Sequence, residues 1–90
     1  MISIDGSEIS LVGDLNTRSV TRLFKDTPQF VKPLYQVNLK EVKEIDSAGL
    51  ALLVYWHNLA AVSSSRLEFS QPPDKLSVMA ELGGFRTIFQ

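Results

Sequence analysis

The sequence predicts an α/β sandwich: a mixed, mainly parallel sheet of about four strands with an N-terminal hairpin, and helices packed on it. Three observations lead there. Short apolar alternations flank Asp5-Gly6, a pair suited to tight hairpin turns. Strand-like and helix-like segments then follow in the order β-β-α-β-α-β-α, which calls for crossover connections and so for parallel pairing. One stretch, Glu44 to Trp56, passes from a strand into the most apolar helix of the chain through Asp46-Ser47-Ala48-Gly49.

The elements follow from local chemistry. Ile2 and Ile4, then Ile9, Leu11 and Val12, mark strands near residues 2–4 and 8–12. Gly13-Asp14-Leu15-Asn16 breaks the pattern. Asn16 or Thr17 can cap a helix by accepting a backbone N–H bond, and Val20, Leu23 and Phe24 form its apolar stripe. That helix should end before Pro28, because a residue preceding proline resists the helical conformation. Tyr35, Val37 and Leu39 share one face of a strand over 34–39. Lys40 to Glu44 reads as a polar loop anchored by Val42, with Ile45 pointing inward. The apolar helix spans roughly Ala48 to Val62, and Ser63-Ser64-Ser65 ends it without a glycine. Leu67 and Phe69 alternate as a strand. Pro73 suits a first helical turn, Leu76, Met79 and Ala80 make a third helix, and Gly83 is expected as its positive-φ cap. Thr87-Ile88-Phe89 reads as a short last strand or a docked tail.

Ninety residues make one domain, 1–90, with one modest core. The hydrophobic fraction of 44% is too high for a disordered chain. Nine basic against ten acidic residues, without a dense basic run, argue against a nucleic-acid platform. No cysteine means no disulfide or thiol chemistry. The start lacks a signal-peptide pattern, and no apolar run approaches the roughly 20 residues of a membrane span. A cytoplasmic protein without direct membrane insertion is expected. Catalysis is not: His57 is the single histidine, the carboxylates are scattered, and no phosphate loop or metal-ligand pattern occurs. Neither cofactor nor metal is called for.

The junction is where polar chemistry meets apolar surface. Asp46 or Ser47 can cap the helix, and Asp46 also suits the helix dipole. A serine hydroxyl at an exposed helix start is also a reasonable phosphate acceptor, although Asp46 would repel the added charge. Gly49 costs about 1 kcal/mol relative to alanine inside a helix, so either the first turn tolerates it or something lies close against the backbone. The helix is apolar over more than the roughly 100° stripe that one sheet covers. Neighbouring helices would account for that, as would a partner surface in which Tyr55 and Trp56 are anchors.

Val37 to Leu53, with Asp46-Ser47-Ala48-Gly49-Leu50 at its centre, resembles the signature of the STAS domain family, and Leu11-Val12-Gly13-Asp14-Leu15 is similar to its second strand and turn. The element order agrees. The resemblance implies a STAS-like sandwich and one of two roles. In the first, the chain is a non-catalytic accessory subunit of a phospholipid-transport ABC complex of the Mla type. It would bind the ATPase subunit, in a complex with a permease and a periplasmic lipid-binding protein, and so lie peripheral to the inner membrane. In the second, it is an anti-sigma factor antagonist switched by phosphorylation at Ser47. Ala48 and Ala51, where the antagonists more often carry Ser and Gly, favour the first. The partner-binding residues expected on this basis are Asp46, Ser47, Ala48, Gly49, Leu50, Leu52, Tyr55 and Trp56. A sheet-based lipid binder is a third reading, for which ninety residues leave little enclosed volume.

Overall fold

The computed structural model describes residues 1–89. The chain runs β1 (Ile2–Asp5), β2 (Glu8–Leu15), α1 (Thr17–Lys25), β3 (Leu34–Ile45), α2 (Ser47–Val62), β4 (Arg66–Ser70), α3 (Asp74–Leu82) and a 3₁₀ turn, Arg86–Phe89. The sheet order is β1-β2-β3-β4, with β1 antiparallel to β2 and β2, β3 and β4 parallel. This is the mixed, mainly parallel sheet with an N-terminal hairpin that the sequence predicts. Asp5 pairs with Glu8, so the hairpin loop is Gly6-Ser7, one residue later than Asp5-Gly6. Gly6 alone supplies the positive φ, +61°.

Each parallel crossover steps to the next strand in the same direction. Crossovers of one hand therefore place α1 and α2 on the same face of the sheet. The burial follows: Ile9, Leu11 and Leu15 of β2, Tyr35, Val37 and Leu39 of β3, and Leu67 and Phe69 of β4 are buried beneath the helices. The other face is exposed and carries Gln36, Lys40 and Arg66 together with Val12 and Leu34.

The strands outrun their sequence limits. β2 continues through Gly13-Asp14-Leu15, and the expected polar loop Lys40–Glu44 is the second half of β3. Two register shifts explain the misreading. Ser10 pairs with Asn38 but Val12 with Glu41, and Gly13 pairs with Val42 but Leu15 with Ile45. Each shift gives β3 one residue more than β2, so its inward residues become Leu39, Val42 and Ile45, three apart instead of two. The Asn38 side chain accepts the Lys40 N–H at 2.8 Å beside the first bulge.

The helix ends show why the serines suffice. Asn16 caps α1, accepting from Arg18 and Ser19 N–H. After α2, the Ser65 N–H reaches Ala60 C=O and the Ser64 N–H reaches Ala61 C=O, with Ser64 at φ +59° in the position glycine usually fills. After α3 the same pattern forms, but Gly84 takes the positive φ (+81°) while Gly83 stays at −90°. Gly83 is the C-cap that the sequence predicts, and only the positive φ expected of it falls one residue later. Pro73 precedes α3 as its N-cap. The C-terminal segment is a docked tail: Phe89 is buried with its ring centroid 4.8 Å from that of Phe69.

Trp56 ties the helical layer together. Its side chain is fully buried, and its Nε1–H donates to Thr27 Oγ1 at 3.0 Å. The Thr27 hydroxyl in turn donates to Phe24 C=O at 2.7 Å. Thr27→Val should lower the unfolding free energy by about 1–3 kcal/mol, because a buried donor loses its acceptor. Ser64→Gly should raise it by about 1 kcal/mol by removing left-handed strain. Urea titrations followed by Trp56 fluorescence measure both.

Candidate functional site

The site grows from the end of β3. Asp46 leaves the sheet in an extended conformation, and its N–H donates to Leu15 C=O at 3.0 Å, the last rung between β2 and β3. Its Oδ1 accepts from Ala48 N–H at 2.9 Å and Gly49 N–H at 3.2 Å. Of the two cap candidates, Asp46 is therefore the N-cap and Ser47 the first helical residue. The helix that follows contains no Asp, Glu, Lys or Arg from Ser47 to Val62.

Gly49 is buried where the first turn of α2 crosses β2. A Cβ built there would stand 2.5 Å from Leu15 O, 2.7 Å from Leu15 Cβ and 2.8 Å from Ile45 Cγ1. Two of those three neighbours are not flexible side-chain ends. The glycine is thus required by close approach, the second of the two readings its position allowed.

From this anchor α2 divides into two surfaces. Leu52, Leu53, Trp56 and Ala60 are buried against the sheet and the flanking helices. Ser47, Ala51, Tyr55 and Asn58, spaced by three or four residues, are exposed. The Ser47 hydroxyl makes no hydrogen bond among the described residues. Tyr55 is 40% exposed and its ring lies 5.1 Å, centroid to centroid, from that of Phe24, itself 54% exposed. Two open apolar grooves run beside this row. The first, about 430 Å³, lies between α2 and Phe85 and is lined also by Ser47, Leu50, Ala51, Val54 and Asn58. The second, about 310 Å³, lies between α1 and α2 over Val20, Phe24, Ala48, Ala51, Leu52 and Tyr55.

The expected site residues fall into two groups. Ser47, Ala48, Leu50 and Tyr55 lie on or beside the outer row, with Asp46 half-buried as its cap. Gly49, Leu52 and Trp56 do not stand on a free surface. Trp56 is 0% exposed and Leu52 reaches only the floor of the second groove, so neither is a surface anchor; the apolar width of α2 at these positions is covered by the domain itself. Ala51, Val54, Asn58, Phe24 and Phe85 join the face without having been singled out for it. Continuing the row from Ser47 in steps of three and four would have found Ala51, Tyr55 and Asn58. Phe24 reads from sequence as part of an inward stripe, whereas only Leu23 of α1 is buried. Among the described residues, no group of three or more His, Asp or Glu side chains is gathered as for a metal ion. No helix among them is long and apolar enough to cross a membrane.

A one-sided mixed sheet whose central strand passes through Asp-Ser-Ala-Gly into an apolar, outward-facing helix defines a domain of the STAS class. The chain belongs to the STAS domain family: the family model described as "Mlab, STAS domain" matches residues 2–90. It is similar in fold to a solved structure described as the anti-sigma factor antagonist SpoIIAA in its unphosphorylated form. That match has a TM-score of 0.78 and 14% sequence identity, and covers 100% of this chain and 84% of that one. At that identity the likeness concerns the fold alone. No curated protein matches the sequence.

Gly49→Ala should destabilise the domain by about 2–3 kcal/mol or prevent folding, since the methyl group meets backbone and β-carbon atoms. Asp46→Ala should cost about 1 kcal/mol, and Asp46→Asn much less, because Asn caps nearly as well. Chemical denaturation of the three variants tests the order.

Proposed function

We propose that the protein is a non-catalytic accessory subunit of a phospholipid-transport ABC complex. It docks on the ATPase subunit through the outer face of α2 and so supports assembly of the ATPase. The observation that carries this reading is the row Ser47, Ala51 and Tyr55: exposed, largely apolar, on a helix without charged residues, between two open grooves. A partner burying that row would remove apolar surface from water, at roughly 25 cal/mol per Å² before the costs of association. The Mlab description of the matching family model supports the choice of transporter. The complex would also hold a permease and a periplasmic lipid-binding protein, keeping this subunit at the cytoplasmic side of the inner membrane. Coupling to the ATPase is through binding: whatever binds the assembled state preferentially stabilises it.

Ser47 supports a second reading, a switch by phosphorylation. Its side chain is exposed on the first turn of α2. The Asp46 carboxylate, however, already holds the N–H groups of Ala48 and Gly49, and would repel a phosphate beside it. On either reading, a dianion at Ser47 opposes docking of an apolar partner surface.

Ala51→Glu and Ser47→Glu should each lower capture of the co-expressed ATPase subunit at least about tenfold, the cost of placing a charge in an apolar contact. Both variants should keep wild-type Trp56 fluorescence. Undiminished capture by both would refute the docking face. Incubation with ATP and cognate kinase followed by intact mass separates the second reading: a stoichiometric phosphate lost in Ser47→Ala favours the switch.

A further inference from the structure

We infer that the free edge of β1 pairs with the β1 edge of a second copy of this chain, antiparallel, about a two-fold axis at Ser3. The product is a homodimer with one sheet continuous across both copies. This edge lies apart from the outer face of α2, so the inference does not rest on the reading of that face.

Half of the backbone groups of β1 are left over by the domain's own pairing. The Met1 nitrogen donates to Val12 C=O at 2.8 Å, and Val12 N–H donates to Met1 C=O at 2.9 Å. Ser3 and Asp5 continue that bonded alternation opposite Ser10 and Glu8. The N–H and C=O of Ile2 and Ile4 therefore point away from β2, at the open edge of the sheet. Sheet edges are commonly guarded by lysine, proline, a bulge or a covering segment. Ile2–Asp5 has neither lysine nor proline, and its register with β2 is unbroken. The opposite edge differs: the Arg86–Phe89 turn lies beside β4, and Phe89 packs on Phe69. On β1, Ile4 is 51% exposed although it lies opposite the fully buried Ile9, on the helix-covered side of the sheet.

The register selects the occupant. With the axis at Ser3, Ile2 of each copy lies opposite Ile4 of the other as a bonded pair, and every outward N–H and C=O of both residues finds a partner. Neither neighbouring register does so. Ile2 opposite Ile2 leaves Ile4 beyond the end of the other β1, and Ile4 opposite Ile4 sets Ile2 against the turn residue Gly6. Residues that face one another across antiparallel strands share a side of the sheet, so the isoleucines of both copies gather on the helix side. There a groove of about 510 Å³ opens between β1 and α1, lined by Met1, Ile2, Ser19, Arg22, Leu23 and Asp26. It can receive the second copy's isoleucines beside Ile2 and Leu23. Its two charged residues, Arg22 and Asp26, have opposite sign and approach at 4.0 Å, so this rim brings no net charge to an interface that must match itself.

The test is sedimentation equilibrium of the intact chain from about 5 µM to about 1 mM, with amide hydrogen exchange followed in parallel. A monomer–dimer equilibrium with a dissociation constant of about 100 µM is expected from so short an edge. The Ile2 and Ile4 amides should gain protection as the dimer forms. Ile4→Pro removes an outward donor and no bond to β2, a change that an edge strand tolerates. Ile4→Lys places like charges near the axis. Each variant should weaken the dimer at least about tenfold and keep wild-type Trp56 fluorescence. Ala51→Glu should dimerise as the wild type does, because α1 stands between this groove and the outer face of α2. A monomer throughout the range, assembly beyond the dimer, protection that spares Ile2 and Ile4, or a dimer lost in Ala51→Glu but kept in both Ile4 variants would overturn the inference.

Discussion

The first turn of α2 rests on the backbone of β2 at Gly49, with no room for a methyl group between them. Much of the molecule depends on that approach. It allows Asp46 to keep its hydrogen bond to Leu15 C=O while capping the helix with its side chain, so strand and helix are joined without a loop. It also sets the depth of α2 over the sheet. At that depth Leu53 and Trp56 fill the core, and the Trp56 indole reaches the end of α1. The rotation of α2 is then fixed too, and Ser47, Ala51 and Tyr55 have nowhere to point but outward. A backbone contact at one residue thereby determines which side chains a partner can meet.

The sequence made the topology legible because the signals were local: an Asp-Gly turn, alternating apolar residues, caps and prolines. It concealed the length of β3, where two bulges replace a spacing of two by a spacing of three at Leu39, Val42 and Ile45. No periodicity rule reads that as a strand, because the extra residues are absorbed only by pairing with β2. The same limit explains the division of the aromatic residues. Tyr55 and Trp56 are adjacent on a helix that is apolar nearly all round, and nothing within α2 says which one faces the core. The answer lies in Thr27, twenty-nine residues away in sequence, whose hydroxyl receives the indole N–H. Phe24 shows the converse: it continues an apolar stripe but sits over the neighbouring helix, half in water.

The polar junction has two adjoining roles, one carried by each residue. The Asp46 carboxylate is occupied by the helix it caps, while the neighbouring Ser47 side chain is exposed. Structural demand and chemical availability are thus separated by a single peptide bond. This is why a family signature centred on these two residues can coincide with a rigid element and yet present a group that another molecule can read.

The split of α2 into a buried and an exposed row bears on how such a domain diversifies. Residues on the inner row share neighbours, so changes there are coupled to one another and to folding. The outer row has few intramolecular contacts to lose, and under the proposed docking its substitutions would act mainly on discrimination between partners. Under that docking, a lineage carrying this scaffold would exchange one binding specificity for another by drift along three or four surface positions, while the core that holds them remains under unchanged selection.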